Sequence, residues 1–137
     1  MAIIQTPEPP PKQKHNKHKE SDIQRACVKW FKEAYPEYEG LLFAVPNERE
    51  GAGETALQSK IKGNRRRQMG VVAGVSDTIL LVARGGLNGL CAECKTPIGN
   101  QKPEQKAWQK KVELQGYGYF VFRSVDDFKE KINGYLK

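Results

Sequence analysis

The stretch Gly74-Val-Ser-Asp77 through Glu93-Cys-Lys95 contains two apolar runs separated by glycines. The runs at 78–83 and 90–95 have the length and composition of β-strands. Between them, Gly85-Gly-Leu-Asn-Gly89 is typical of a hairpin loop. The sequence therefore predicts two adjacent antiparallel strands, with an aspartate at the start of the first strand and a Glu-x-Lys pattern in the second.

This hairpin brings charged side chains to one edge of the predicted sheet. Side chains alternate between the two faces of a strand, so Glu93 and Lys95 share a face, and Asp77 can lie beside Glu93. Two neighbouring carboxylates repel each other unless a cation joins them, and hard oxygen ligands suit Mg²⁺. Such a metal can polarise a phosphate, and a lysine can offset the charge that develops on it. The alternative is a surface ion pair between Glu93 and Lys95 on an edge strand.

The remaining chain predicts helices on both sides of this hairpin. Hydrophobic periodicity and cap signals predict helices at 21–35, 55–69 (interrupted or bent near Gly63), 103–115 and from Ser124 onward, and strands at 41–45 (buried) and 117–122. The expected order is helix, strand, helix, strand, strand, helix, strand and helix, a mixed α/β fold with helices flanking the sheet. Ser21 and Gln24 form a capping-box pattern, which explains them without a role in the site.

The charge of the chain points to a polyanionic partner. The 137 residues include 23 Lys and Arg against 16 Asp and Glu, a formal net charge of +7. Residues 1–19 are rich in proline and lysine and are expected to form a flexible basic arm, with residues 20–137 as a single domain. A second basic cluster contains Lys60, Lys62, Arg65, Arg66 and Arg67 without an acid. It can bind phosphates, although a solvated helix face would have the same composition.

Other compositional features exclude several classes of protein. No apolar stretch approaches the roughly 18 residues of a membrane helix, and the N-terminus lacks a signal-peptide pattern, so a cytoplasmic protein is expected. Three cysteines do not fit a disulfide framework. Cys91 and Cys94 have the spacing of half a zinc site, but residues three apart on a strand point to opposite faces, so structural zinc is disfavoured.

Taken together, Glu20…Gln24, Asn47-Glu48, Gly74-Val-Ser-Asp77, Glu93-Cys-Lys95 and Gln105 resemble the VRR-NUC (virus-type replication-repair nuclease) group of the PD-(D/E)xK superfamily. The resemblance covers about residues 20–122. It implies a restriction-endonuclease-like αβββαβ core and Mg²⁺- or Mn²⁺-dependent cleavage of DNA. Stand-alone phage and bacterial members of the group are similar to structure-selective nucleases in replication, recombination or repair, including dimers that act on four-way junctions.

The resemblance also implies individual roles. Asp77, Glu93, the backbone carbonyl of Cys94 and Glu20 would hold the metal, Lys95 would be the catalytic lysine, and Gln105 would orient Lys95, water or the phosphate. Asn47 and Arg49 would contact DNA from the loop after the first strand, in addition to the basic cluster at 60–67. Ser76 replaces the proline that is usual before the aspartate, which puts the rigidity of that turn in question.

Two further hypotheses remain open at this point. One is a non-catalytic DNA-binding module with the same fold, which would be expected to lack one of the three charged residues of the site. The other is an adaptor whose lysine-rich arm and Arg65–Arg67 bind an acidic protein. Salt-sensitive DNA binding in the presence of an acidic competitor would separate these two hypotheses.

Overall fold

The computed structural model describes residues 17–46 and 54–137, with side chains from Lys19 onward. The predicted order of elements is confirmed. The elements are α1 (Lys17–Ala34), a short 3-10 helix (Pro36–Tyr38), β1 (Leu42–Ala44), α2 (Ala56–Gln68), β2 (Thr78–Leu80), β3 (Leu90–Cys94), α3 (Pro103–Leu114), β4 (Gly118–Phe122) and α4 (Val125–Leu136).

The four strands form one mixed sheet in the order β1-β2-β3-β4. β1 pairs antiparallel with β2, and β2 pairs antiparallel with β3. β4 runs parallel to β3, and α3 makes the crossover between them. The αβββαβ core expected from the sequence is therefore present, with α2 as an additional helix between β1 and β2.

The main hydrophobic core lies between one face of this sheet and the helices α1 and α4. Its buried side chains include Cys27 and Phe31 from α1, Leu80, Ala92, Cys94 and Phe122 from the strands, and Phe128 and Ile132 from α4. Full burial of each large aromatic or aliphatic side chain contributes roughly 1.5–3 kcal/mol to the free energy of unfolding. This core fixes the position of α1 on the sheet, and with it the position of Glu20.

Helix α1 begins earlier than the sequence predicts. It starts at Lys17, so Ser21 is not its N-cap, and the capping-box interpretation of Ser21 and Gln24 is wrong. Residues 17–20 contain no proline or glycine, and Glu20 lies in the first turn, where a negative charge interacts favourably with the helix dipole. Within 17–46 and 54–137, no helix has the length and apolar content needed to cross a membrane.

Three other elements differ from the sequence prediction. The first strand was expected to be buried, but Phe43 and Ala44 are exposed, because β1 lies at the edge of the sheet and β2 is its one neighbouring strand among the described residues. α2 continues without interruption through Gly63, the one residue of this helix that is buried. β2 is also shorter than expected and ends at Leu80.

The turn before Asp77 packs tightly against the first turn of α3. Gly74 has a φ of +87°, and a Cβ atom at this position would overlap the backbone carbonyl of Glu104. Only glycine combines this left-handed conformation with so close an approach. Gly74 therefore sets the distance between the turn that carries Asp77 and the helix that carries Gln105.

Substitution Gly74→Ala tests this packing, with Gly86→Ala as its matched control. Gly86 has a similar φ of +83°, but a Cβ atom there meets nothing within 4 Å. We expect Gly86→Ala to cost about 1–2 kcal/mol from the backbone conformation alone. Gly74→Ala should cost a further ~1–3 kcal/mol, because the added methyl group overlaps α3. Denaturant unfolding measures both values, and equal losses would contradict the close packing of Gly74 on α3.

Candidate functional site

Asp77 lies where three strands meet. It precedes β2, and the pairing of Thr78 with Ala92 places it opposite Glu93. Its carboxylate Oδ2 accepts a hydrogen bond of 2.8 Å from the backbone N–H of Cys94, and its backbone carbonyl accepts one of 2.8 Å from Val45. These two bonds hold the Asp77 carboxylate against β3.

Glu93 is the most constrained acidic side chain of the site. It is 2% exposed, and its Oε1 accepts a hydrogen bond of 2.6 Å from Gln105 Nε2. Its Oε2 is buried and has no hydrogen-bond partner among the residues that the structure describes. An unpaired buried carboxylate oxygen is energetically costly, so this atom is a candidate for a ligand to a cation.

Burial and neighbouring negative charges raise the pKa values of both carboxyl groups. Burial, with the negative charge of Asp77 as the next cause, raises the pKa of Glu93 to about 8, although Lys95 acts in the opposite direction. Burial also raises the pKa of Asp77, and the nearby charge of Glu20 adds to this effect. A site that disfavours its own negative charges in this way is favourable for a divalent cation.

Lys95 lies on the same face of the sheet as Glu93. Its side chain is almost fully buried, and its Nζ is 3.6 Å from Glu93 Oε1. The alternative of a surface ion pair on an edge strand is therefore wrong, because β3 is an internal strand and both side chains are buried. Buried ion pairs add little net stability, since desolvation offsets their attraction.

Glu20 reaches the site from α1. Its Oε1 accepts a hydrogen bond of 3.3 Å from the backbone N–H of Thr96, the residue after Lys95. Its charge is close enough to Asp77 to contribute to the raised pKa of that carboxyl, after the larger effect of burial. The helix thus places a third carboxylate next to the pair from the hairpin.

Gln105 connects α3 to the site. Its Oε1 accepts a hydrogen bond of 2.8 Å from the backbone N–H of Lys102, which caps the helix, and its Nε2 donates to Glu93. The cap fixes the orientation of the amide, and the amide in turn orients the Glu93 carboxylate. Gln105 therefore contacts Glu93 of the acidic pair.

Sequence reasoning missed the hydrogen bond of Ser76 and two further residues around the site, Arg123 and Tyr119. The hydroxyl of Ser76 donates to the backbone carbonyl of Thr78 at 3.0 Å, which holds the turn where the resemblance predicts proline. Arg123 donates to the carbonyls of Thr96 and Gly99 and fixes the segment after Lys95. Burial, with the charge of Glu93 as the next cause, raises the pKa of Tyr119. These residues lie far apart in the sequence or form common turn contacts, so no local pattern indicates them.

The expected DNA-contacting residues lie partly on α2 and partly outside the described residues. Asn47 and Arg49 lie outside the residues that the structure describes. The basic cluster at 60–67 lies on α2, where its five cationic side chains are exposed. Lys62 pairs with Glu54, and Arg67 donates to Asn64. The cluster is therefore accessible to a binding partner.

The residues present fit a magnesium-type metal, although they do not form a complete cage. Within 17–46 and 54–137, no three His, Cys, Asp or Glu side chains converge as a ready-made metal site. Mg²⁺ does not require such a cage, because it is commonly bound by one or two carboxylates with water and phosphate as other ligands. Asp77 and the unpaired Oε2 of Glu93 supply two carboxylates of this kind. Cys94 lies in the main core and Cys91 outside it, which separates the two halves of the CxxC pair.

Comparison with known proteins identifies the fold. The chain is similar to a solved structure described as a VRR_NUC domain protein, with a TM-score of 0.69 and 23% sequence identity over 86% of this chain and 88% of the other. A scan against protein-family models and a search of curated proteins find no match. The protein therefore has the fold of a VRR-NUC domain, as the sequence resemblance predicts.

Substitution Glu93→Gln tests whether the acidic pair is a cation site, without an activity assay. The glutamine keeps the oxygen that accepts from Gln105 but leaves the buried Lys95 without the charge of its partner, so the metal-free variant should be less stable than wild type, and the gain on adding metal is the quantity that is compared. Wild-type protein should gain about 1.4 kcal/mol when Mg²⁺ or Mn²⁺ is tenfold above its dissociation constant, and the variant should gain much less.

Thermal unfolding with and without the metal measures these effects. Gln109→Glu, an isosteric amide–carboxylate change on the same side of α3, provides a control that leaves the acidic pair intact. An equal metal-dependent gain in wild type and Glu93→Gln would contradict a role for Glu93 as a ligand.

Proposed function

We propose that this protein is a metal-dependent DNA endonuclease that hydrolyses phosphodiester bonds. The observation that supports this most strongly is the buried, unpartnered Oε2 of Glu93, which lies next to Asp77 and is accompanied by a buried lysine. The VRR-NUC fold is the second support. Neither a purely structural ion pair nor a solvated acidic patch accounts for this combination of burial and repulsion.

Asp77 and Glu93 would hold a Mg²⁺ or Mn²⁺ ion, with the Cys94 carbonyl and Glu20 as further ligands, directly or through water. When bound, the metal supplies Lewis acidity toward the phosphate and lowers the pKa of a bound water. Lys95 offsets negative charge on the phosphoryl oxygens or holds the nucleophilic water. Gln105 orients Glu93 through the 2.6 Å hydrogen bond and so limits how this carboxylate can turn.

The substrate that we propose is branched or otherwise irregular DNA, such as a four-way junction, in replication, recombination or repair. A domain of 137 residues covers little of a branched duplex, so we also propose a homodimer that presents two sites. We expect it to act in the cytoplasm of a bacterial or phage-infected cell. A mass measurement in solution tests the dimer, and a monomer mass both with and without junction DNA would contradict it.

A non-catalytic DNA-binding module is the alternative with the same fold. It would bind DNA through the same basic surface and would leave the acidic pair without a function. The presence of Asp77, Glu93 and Lys95 in one cluster favours the enzyme, because each of these side chains is costly to bury. The two proposals differ only in cleavage.

Substitution Asp77→Ala or Lys95→Ala should abolish cleavage and largely spare DNA affinity. Labelled four-way, flap, single-stranded and linear DNA, incubated with Mg²⁺ or Mn²⁺, provide the assay, and electrophoresis separates the products. We expect cleavage to fall at least ~10²-fold in each variant, since one loses a proposed ligand and the other a charge-stabilising group. Wild-type rates in either variant would refute the assigned site, and no cleavage by wild-type protein would favour the non-catalytic alternative.

Substitution of Arg65, Arg66 and Arg67 by alanine tests the basic cluster on α2. If this cluster contacts phosphates, the triple variant should bind DNA more weakly, and the slope of log affinity against log salt should become shallower by about one for each lost contact. Binding is measured by fluorescence anisotropy at several salt concentrations in EDTA, where cleavage does not occur. An unchanged salt slope would remove the cluster from the interface.

A further inference from the structure

A groove lies between α1 and the end of β1 and extends to Asp77. Its volume is about 560 Å³. Arg25, Lys29 and Lys32 line the α1 side, whereas Val45 and Pro46 line the opposite side. The groove is thus basic on one wall, apolar on the other, and open to the residue that we propose as a metal ligand.

The three cations form one stripe on α1. They occupy positions i, i+4 and i+7, which lie on the same face of an α-helix. All three side chains are exposed, whereas Cys27 and Phe31, on the opposite face, are buried in the core. No ion pair within the described ranges engages any of the three. Their charges therefore face the groove and solvent.

The length of this stripe is comparable with that of a short segment of a nucleic-acid strand. With a rise of 1.5 Å per residue, Arg25 and Lys29 are about 6 Å apart along the axis, and Lys29 and Lys32 about 4.5 Å. Successive phosphates advance about 3.4 Å along one strand of a duplex. Three cations over about 10 Å thus span about three nucleotide steps.

The opposite wall is suited to the less polar part of a nucleotide. Ala44, Val45 and Pro46 present apolar surface without a negative charge. The backbone N–H of Val45 donates to the backbone carbonyl of Asp77, which fixes this wall against the acidic site. A strand whose phosphates contact α1 would meet sugar or base edges on this side and would reach Asp77 at the end of the groove.

We propose that this groove binds one strand of DNA, with Arg25, Lys29 and Lys32 as its phosphate contacts. This inference rests on the proposed nuclease function and assigns the path by which the substrate reaches the acidic pair. It differs from the binding surface predicted from the sequence, which relied on the more conspicuous basic cluster of α2. Ser21 and Gln24 also line this groove and are therefore positioned to contact the same strand.

The test compares two triple variants of equal charge. Arg25→Gln/Lys29→Gln/Lys32→Gln removes the stripe, whereas Lys106→Gln/Lys110→Gln/Lys111→Gln removes three exposed cations of α3, none of which lines the groove. Binding of wild-type protein and both variants to labelled single-stranded and duplex DNA is measured by anisotropy in EDTA across a range of salt. Thermal unfolding checks that each variant retains the wild-type fold.

We expect the α1 variant to lose about tenfold or more in affinity at 0.1 M salt. Its salt slope should fall by about 2 on single-stranded DNA and about 3 on duplex DNA, whereas the α3 control should change little. Equal losses of DNA affinity in both variants would show that binding depends on the net charge of the protein and not on the groove, and would overturn the proposal. An α1 variant that binds DNA as tightly as wild type would also overturn it. So would a competition experiment in which polyglutamate at low concentration displaces DNA from wild-type protein but not from the α1 variant, because this result would assign the groove to an acidic protein.

A different set of results is expected if the protein is not a nuclease but the groove does bind DNA. Wild-type protein would then leave all DNA substrates intact with Mg²⁺ and Mn²⁺, while the difference in binding between the α1 and α3 variants would persist. Cleavage by wild-type protein together with unchanged binding by the α1 variant would refute the groove alone. The experiments can therefore contradict the nuclease function and the DNA-binding groove independently of each other.

Discussion

The close placement of Asp77 and Glu93 is the constraint on which the rest of the site depends. Their carboxylates come from adjacent strands, with Glu93 buried and Asp77 half-buried; burial raises both pKa values, and the charge of Asp77 raises that of Glu93 further. Such an arrangement is costly, because the free energy of unfolding of a typical domain is only about 5–15 kcal/mol. It persists because the surrounding backbone fixes it: β2 pairs with β3, and the N–H of Cys94 binds Asp77. A cation bound by the two carboxylates would offset this cost, which is the basis for proposing a metal site in this region of the sheet.

Three helices hold this unfavourable cluster in place from different sides. α1 is anchored in the main core by Phe31 and carries Glu20 to the segment after Lys95. α3 begins against the turn at Gly74, and this contact delivers the Gln105 amide to Glu93. α4 forms the other half of the core that supports the sheet. The fold therefore positions the site through contacts between distant segments, and the apolar core on one face of the sheet supports the polar chemistry on the other.

The sequence predicts features that depend on residues close together in the chain, and it fails for features that depend on contacts between distant segments. The hairpin and its charged residues are predictable, because strand alternation and a glycine-rich loop are local patterns. The start of α1 is mispredicted, because Ser21 satisfies a local capping pattern although the helix already runs through it. Three features arise only when distant segments pack together, and local patterns do not predict them. They are the close packing of Gly74 on α3, the contacts of Arg123 and the basic groove along α1. The α2 cluster is conspicuous in the sequence because its charges are consecutive, whereas the α1 cations are separated by three and two residues and attract less notice.

A crystal of the protein soaked in Mn²⁺ would test the central claim most directly. Manganese scatters anomalously, so its position can be assigned independently of the protein density. The account predicts an anomalous peak within coordination distance of the carboxylates of Asp77 and Glu93, and loss of this peak in crystals of a variant that lacks both acids. A fully occupied manganese site elsewhere, with Asp77 and Glu93 in their present positions and no peak between them, would contradict it.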